Sequence, residues 1–144
     1  MWLSGCLGMN IGVETGDEAL MSLQAKKGLN LEKLRWLRNE AKRIGLKLHF
    51  LLSIGMPQET KKSIIETYDL IQRFKPESLG ITVITPYPGT PLYEDIKRQN
   101  LFVGSSDWER YVPHGATPLI RTKYLKTSYI KIIIQDKNII SQIR

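Results

Sequence analysis

The sequence predicts an α/β protein built as an open piece of a (β/α) barrel, and three observations predict it. Short apolar runs at residues 9–14, 46–54 and 79–85 are each followed by turn residues and then by a helical pattern. Each run alternates apolar with polar or small residues, whereas strands covered by helices on both faces read as nearly continuous apolar stretches. Three prolines and a glycine in Thr85-Pro86-Tyr87-Pro88-Gly89-Thr90-Pro91-Leu92-Tyr93 fix an irregular loop directly after the third run. Ligands of α/β proteins bind at such places, outside the carboxyl ends of the strands.

In the first strand Met9, Ile11 and Val13 alternate with Asn10, Gly12 and Glu14. The first helix is expected from about Asp17, a capping residue with Glu18 in the first turn, and ends before Gly28. A second helix starts after Asn30 and carries Leu31, Leu34, Leu37, Ala41 and Ile44 at three- and four-residue spacing up to Gly45. In the second strand Leu46, Leu48, Phe50, Leu52 and Ile54 alternate with Lys47, His49, Leu51 and Ser53. A third helix follows Thr60 and is expected to bury Ile64, Tyr68, Ile71 and Phe74 before Pro76 stops it; its Lys61 and Lys62 oppose the helix dipole. The third strand alternates Leu79, Ile81 and Val83 with Gly80, Thr82 and Ile84. Thr90 then reads as an N-cap with Pro91 at the first helical position.

Strands separated by helices pair in parallel through right-handed crossovers, which both a doubly wound sheet and a barrel satisfy. The mixed second face, with Glu14, Ser53 and Thr82 on it, favours a barrel whose interior is an open cavity. Three strands cannot close one, so the chain is expected to be incomplete.

Composition is ordinary for a folded chain of 144 residues, 42% hydrophobic and 24% charged, which bounds it to one domain or a piece of one. Its apolar runs fall far short of a membrane span, and residues 1–3 lack the start of a signal peptide. The single cysteine, Cys6, excludes an internal disulfide and any site needing three thiolates from this chain, so a reducing cytoplasm is expected. Six of the 21 Lys/Arg but one of the 14 Asp/Glu fall in residues 121–144, so the excess of +7 is mostly a tail property. A basic tail alone, without a recognition motif or stacking aromatics, makes nucleic acid an improbable partner. From Ser128 the isoleucines at 130, 133, 134 and 140 fit one helix face, although residues 132–134 also have strand propensity.

Gly12-Val13-Glu14-Thr15-Gly16, Lys27-Gly28, Gly55-Met56-Pro57-Gln58-Glu59-Thr60 and the proline loop 85–93, in this order and spacing, resemble the radical S-adenosylmethionine enzymes. The branch that often carries a cobalamin-binding domain is the most similar, and Trp108, Tyr111 and residues 118–122 share the likeness. The resemblance implies a TIM-like partial barrel of six βα units, of which this chain has the last three in residues 1–112, with residues 113–144 as an extension of loop and helix. It implies S-adenosylmethionine as cofactor, a [4Fe-4S] cluster held by a CxxxCxxC motif in the complete enzyme, and cobalamin as a candidate in the parent. No such motif occurs here, and Cys6 does not match a cluster ligand, so the chain is expected to be an inactive fragment on its own.

By the same resemblance Glu14 bonds the ribose hydroxyls, Lys27 reaches the methionyl carboxylate, Leu51 and Ser53 flank the cofactor, and Gly55 and Tyr87 lie near the adenine. As plain chemistry Glu14 also reads as a structural buried acid, Lys27 as a solvated lysine, Leu51 and Ser53 as core, and Tyr87 as a plug. His49 reads as a hydrogen-bonded structural residue, and His114 supports no role. Many relatives have glycine where Gln58 stands and acids where Lys61 and Lys62 stand. The competing reading is a docking module that completes a partner's barrel, by a missing amino-terminal half or by self-association.

Overall fold

The computed structural model describes residues 2–24, 28–104, 111, 118–126, 128, 130 and 133. After a short 3-10 turn at Trp2–Ser4, the described elements run β1 (Gly8–Glu14), α1 (Glu18–Gln24), α2 (Leu31–Arg43), β2 (Lys47–Ile54), α3 (Lys61–Phe74), β3 (Ser78–Val83) and α4 (Pro91–Arg98). The strands form one sheet in the order β1-β2-β3, and β1 pairs with β2 in parallel. The chain is thus a mixed α/β protein with a small sheet, and it divides into two compact units, residues 1–52 with 63–80 and residues 53–62 with 81–144.

The first unit is built on the helix-facing side of β1 and β2. Leu48, Phe50 and Leu52 are buried, while Lys47 and Leu51 are exposed and His49 is half-buried, as period-two alternation requires. Phe50 meets Phe74 of α3 with ring centroids 6.2 Å apart, tilted by 51°. Helix α2 starts where Asn30 accepts the Lys33 amide at 2.8 Å, and it buries Leu34 and Ala41. It ends at Arg43 with Ile44 as its C-cap, Gly45 follows with a left-handed φ of 73°, and the chain turns toward β2 with Leu46 N–H on Ala41 O at 2.8 Å. Arg38 of α2 donates to the carbonyls of Phe74 at 2.9 Å and Lys75 at 3.3 Å, satisfying orphan groups at the end of α3.

Helix α3 differs from expectation in the face it buries. Ser63, Ile64, Thr67, Leu70 and Phe74 are buried, and Tyr68 and Ile71 are only half-buried. The stripe turns toward the two hydroxyl residues because Thr67 forms buried polar contacts that apolar periodicity does not register.

In the second unit, Ile96 of α4 packs with Leu119 and Ile120, and Ile84, Leu92, Leu101, Phe102 and Tyr111 close around them. Phe102 and Ile120 pair as an antiparallel bridge, flanked by Val103 N–H on Leu119 O at 2.8 Å and Arg121 N–H on Leu101 O at 2.7 Å. Strand β3 stops at Val83, two residues before the expected end; Ile84 still donates to Ile54 O at 2.8 Å. Ser128, Ile130 and Ile133 are helical, and both isoleucines are buried, as the expected helix face requires; residues 134 and 140 lie outside the described set. None of the described helices is long and apolar enough to cross a membrane.

Candidate functional site

The end of β1 is irregular. Gly12 pairs with Leu51 and Glu14 with Leu52, so Val13 is an extra residue in the ladder. The bulge breaks the alternation that assigned Glu14 a face, and its direction is set by the turn that follows. Glu14 is half-buried with φ 67°, a left-handed conformation that a side chain disfavours, and Thr15 N–H reaches back across it to Val13 O at 2.8 Å.

That turn is anchored on α3. Gly16 N–H donates to Thr67 Oγ1 at 2.8 Å, and the hydroxyls of Thr15 and Thr67 lie 3.2 Å apart. The approach is so close that a Cβ on Gly16 would fall under 3.0 Å from the Glu66 carbonyl and the Thr67 Cα. Asp17 then caps α1, accepting the amides of Ala19 at 2.9 Å and Leu20 at 3.1 Å.

On the opposite face of the sheet in this unit, part of the surface is accessible. Leu51 is 42% exposed, Asn10 is exposed, and Gly8, Gly12 and Gly80 give the face little side-chain cover. His49 hydrogen-bonds Ser78 Oγ through Nδ1 at 2.6 Å, in keeping with a structural histidine.

Ser53, Gly55 and Tyr87 belong to the second unit. Ser53 is buried, and Gly55 has φ 93°, so its glycine is required by conformation; a Cβ there would meet Val83 at 3.5 Å, an ordinary contact. Gly55 N–H donates to Glu59 Oε2 at 2.6 Å, and Glu59 N–H donates to Met56 O at 3.0 Å across Pro57 and Gln58. Gln58 has no positive φ, which explains why this turn needs no glycine there. Glu59 is 2% exposed, and burial pushes its carboxyl up to about 7, against the opposing pull of the Gly55 hydrogen bond.

The proline loop is a further turn of defined type. Thr90 N–H donates to Tyr87 O at 3.2 Å, with Pro88 then Gly89 at φ 83° between them, the signature of a type II turn. Thr90 caps α4 by accepting the Tyr93 amide at 3.2 Å, and its own hydroxyl donates to Tyr87 O at 2.7 Å. Tyr87 is 44% exposed and lies 6.3 Å from the Tyr111 ring.

Of the expected site residues, Glu14 and Leu51 thus fall in the first unit and Ser53, Gly55 and Tyr87 in the second. Lys27, like Trp108 and His114, lies outside the described residues. Glu59 and Thr67 were not singled out by the sequence. An acid four residues after a turn glycine was the available signal for Glu59; Thr67 gave none. Among the described residues no group of three or more His, Cys, Asp or Glu could hold a metal ion. Cys6 donates its Sγ–H to Gly8 O at 3.3 Å.

No family model matches the chain. It is 27% identical over 108 residues to the bacteriochlorophyllide d C-12(1)-methyltransferase of Chlorobaculum tepidum, covering 75% of this chain and 23% of that protein. It is 26% identical over 147 residues to an uncharacterized methyltransferase of Pyrococcus horikoshii, covering 96% and 31%. It is 28% identical over 125 residues to the anaerobic magnesium-protoporphyrin IX monomethyl ester cyclase of Cereibacter sphaeroides, covering 85% and 19%. The chain spans between about a fifth and a third of the length of these curated relatives.

Proposed function

We propose that this chain is the carboxyl-terminal half of a radical S-adenosylmethionine core domain and that it supplies walls of the cofactor site. The reading is supported by the order of its four motifs and by distant relatives named as methyltransferases and as an anaerobic cyclase. The observation that carries it is Glu14, an acid held in a left-handed turn where β1 ends. Strained non-glycine backbone of this kind concentrates at ligand sites.

The residues present fit S-adenosylmethionine. A carboxylate at position 14 accepts both hydroxyls of the ribose diol. Leu51, 42% exposed, offers an apolar surface to flank the cofactor, and buried Ser53 is assigned to the same flank within its own unit. Gly55 contributes its turn and not its amide, which Glu59 already binds. Tyr87 offers an exposed ring in the type II turn, and Lys27 is assigned to the methionyl carboxylate. When bound, the cofactor supplies the sulfonium chemistry; within the first unit Glu14 would hold its ribose and Leu51 would flank it.

They do not fit a [4Fe-4S] cluster. Three thiolates are needed, and the chain has one cysteine, whose thiol is bonded to a backbone carbonyl. The cluster ligands, and cobalamin where the parent uses it, are assigned to other parts of that enzyme.

The test is calorimetric titration of the chain with S-adenosylhomocysteine. Binding weakened about tenfold or more by Glu14→Gln, as expected for a hydrogen bond to a charged group, supports the reading. Equal affinity in the variant removes Glu14 from the site. A folded chain that does not bind the ligand leaves the docking reading, which the accessible surface around Leu51 favours.

A further inference from the structure

We propose that Thr67 is a positioning residue, which holds Glu14 in its left-handed turn and so aims the carboxylate assigned to the ribose; the inference rests on that assignment. Thr15 N–H on Val13 O at 2.8 Å, with φ 67° at Glu14 between them, makes the left-handed form of the three-residue γ-turn. This form is rare and strained, and it persists only where the surroundings over-determine it.

Among the described contacts, one hydroxyl anchors the residues that follow Glu14. Thr67 Oγ1 has one proton and two lone pairs. Its proton goes to Ser63 O at 2.8 Å, so both lone pairs are left for acceptance. They take Gly16 N–H at 2.8 Å and the Thr15 hydroxyl at 3.2 Å, which makes Thr15 the donor of that pair. The Thr15 oxygen in turn accepts Asp17 N–H at 3.2 Å. Every hydrogen-bonding position of Thr67 is used, and two of the three hold the residues immediately after Glu14.

Replacement by water is not open to this site. Thr15 is 1% and Thr67 6% exposed, and Gly16 lies against the backbone of Glu66 and Thr67 with no room for a Cβ. Thr67→Val keeps the shape but leaves a buried N–H and a buried O–H without an acceptor. The turn can satisfy them only by leaving α3, and Glu14 then relaxes to an ordinary conformation. Thr67 acts through the turn and touches no ligand itself.

The experiment uses the full chain, isotopically labelled, as wild type, Thr67→Val and Thr67→Ser. The HN–Hα coupling of Glu14 reports its φ, amide exchange reports Gly16, and titrations with adenosine and 2′-deoxyadenosine report the ribose contact. In Thr67→Val the Glu14 φ is expected to leave the left-handed region and Gly16 to exchange faster. The preference for adenosine over its deoxy analogue is expected to fall about tenfold, while Thr67→Ser keeps all three properties. A general loss of stability would not move that preference. Retention of both the Glu14 φ and the preference in Thr67→Val overturns the proposal. A wild type with no preference overturns the ribose assignment instead, and the Glu14 φ in Thr67→Val then decides the positioning role alone. Should Thr67→Val not fold, Thr15→Val deletes the bond between the two hydroxyls and the one from Asp17 N–H, and leaves Gly16 on Thr67. A smaller displacement of the same coupling then supports the proposal, and an unchanged coupling overturns it.

Discussion

The carboxylate of Glu59 accepts the amide of Gly55 at 2.6 Å in a turn where Glu59 is only 2% exposed. One backbone donor does not replace the hydration of a carboxylate, so burial wins and the carboxyl rises to about 7 from an ordinary 4.5.

A pH dependence of stability follows, with a sign opposite to that of most acids. The folded chain binds the Glu59 proton more tightly than the unfolded chain, so stability from this group is full below about 4.5 and is lost as pH rises through about 7. The swing is on the order of 3 kcal/mol. Glu59→Gln keeps an oxygen for Gly55 and cannot ionise. Urea unfolding should therefore show the variant gaining on the wild type between pH 5 and pH 8. Parallel pH profiles for the two proteins would remove the buried acid from the account.

Two glycines separate steric from conformational cost. At Gly16 an added methyl meets backbone atoms that cannot move aside, so Gly16→Ala should cost about 3 kcal/mol or more. At Gly89 nothing lies within 4 Å and only the φ of 83° opposes a side chain, so Gly89→Ala should cost about 1–2 kcal/mol. Thermal midpoints in the same buffer check the order. A reversal would mean that the loop holding Gly16 shifts without resistance.

Features set by near neighbours were legible in the sequence. Asn30 and Thr90 cap their helices, Gly45 turns the chain after α2, and Pro88-Gly89 makes its turn, because each depends on residues within four positions. The alternation along β2 was readable as far as Leu52, and it fails at Ser53, which was expected on the face of Leu51 and is buried. What was not readable depends on distant partners. The buried face of α3 is set by Thr67 meeting Gly16, 51 positions away, and no apolar period reports a buried hydroxyl pair. The bulge at Val13 likewise appears only in the register against β2, and it removed the reasoning that had assigned Glu14 a face. Burial of Glu59 escaped because its motif shows the turn and not what covers it.

Arg38 offers a test of the link between α2 and the end of α3. Its guanidinium donates to two successive carbonyls, Phe74 O and Lys75 O, and its second amino group lies 3.9 Å from Glu77. Lysine has the charge without the planar fork. Arg38→Lys should therefore lose one or both carbonyl bonds, at about 1 kcal/mol each, and lower the urea midpoint at unchanged slope. An unchanged midpoint would show that solvent satisfies the helix end equally well.

The proposed role predicts a division between binding and turnover. Cluster assembly requires three thiolates on one iron–sulfur core, and Cys6 is the only thiol of the chain, engaged with Gly8 O at 3.3 Å. Anaerobic reconstitution with iron and sulfide should accordingly give no stable cluster absorption and no cleavage of S-adenosylmethionine by this chain alone. Mixing with a polypeptide that carries the cluster motif should restore cleavage if the two halves assemble. In that mixture Glu14→Gln should raise the concentration of S-adenosylmethionine needed for half-maximal rate, because the ribose contact acts in binding. Cleavage by the isolated chain would overturn its assignment as a cofactor wall without cluster ligands, whereas a restored rate insensitive to Glu14→Gln would place the ribose on another residue.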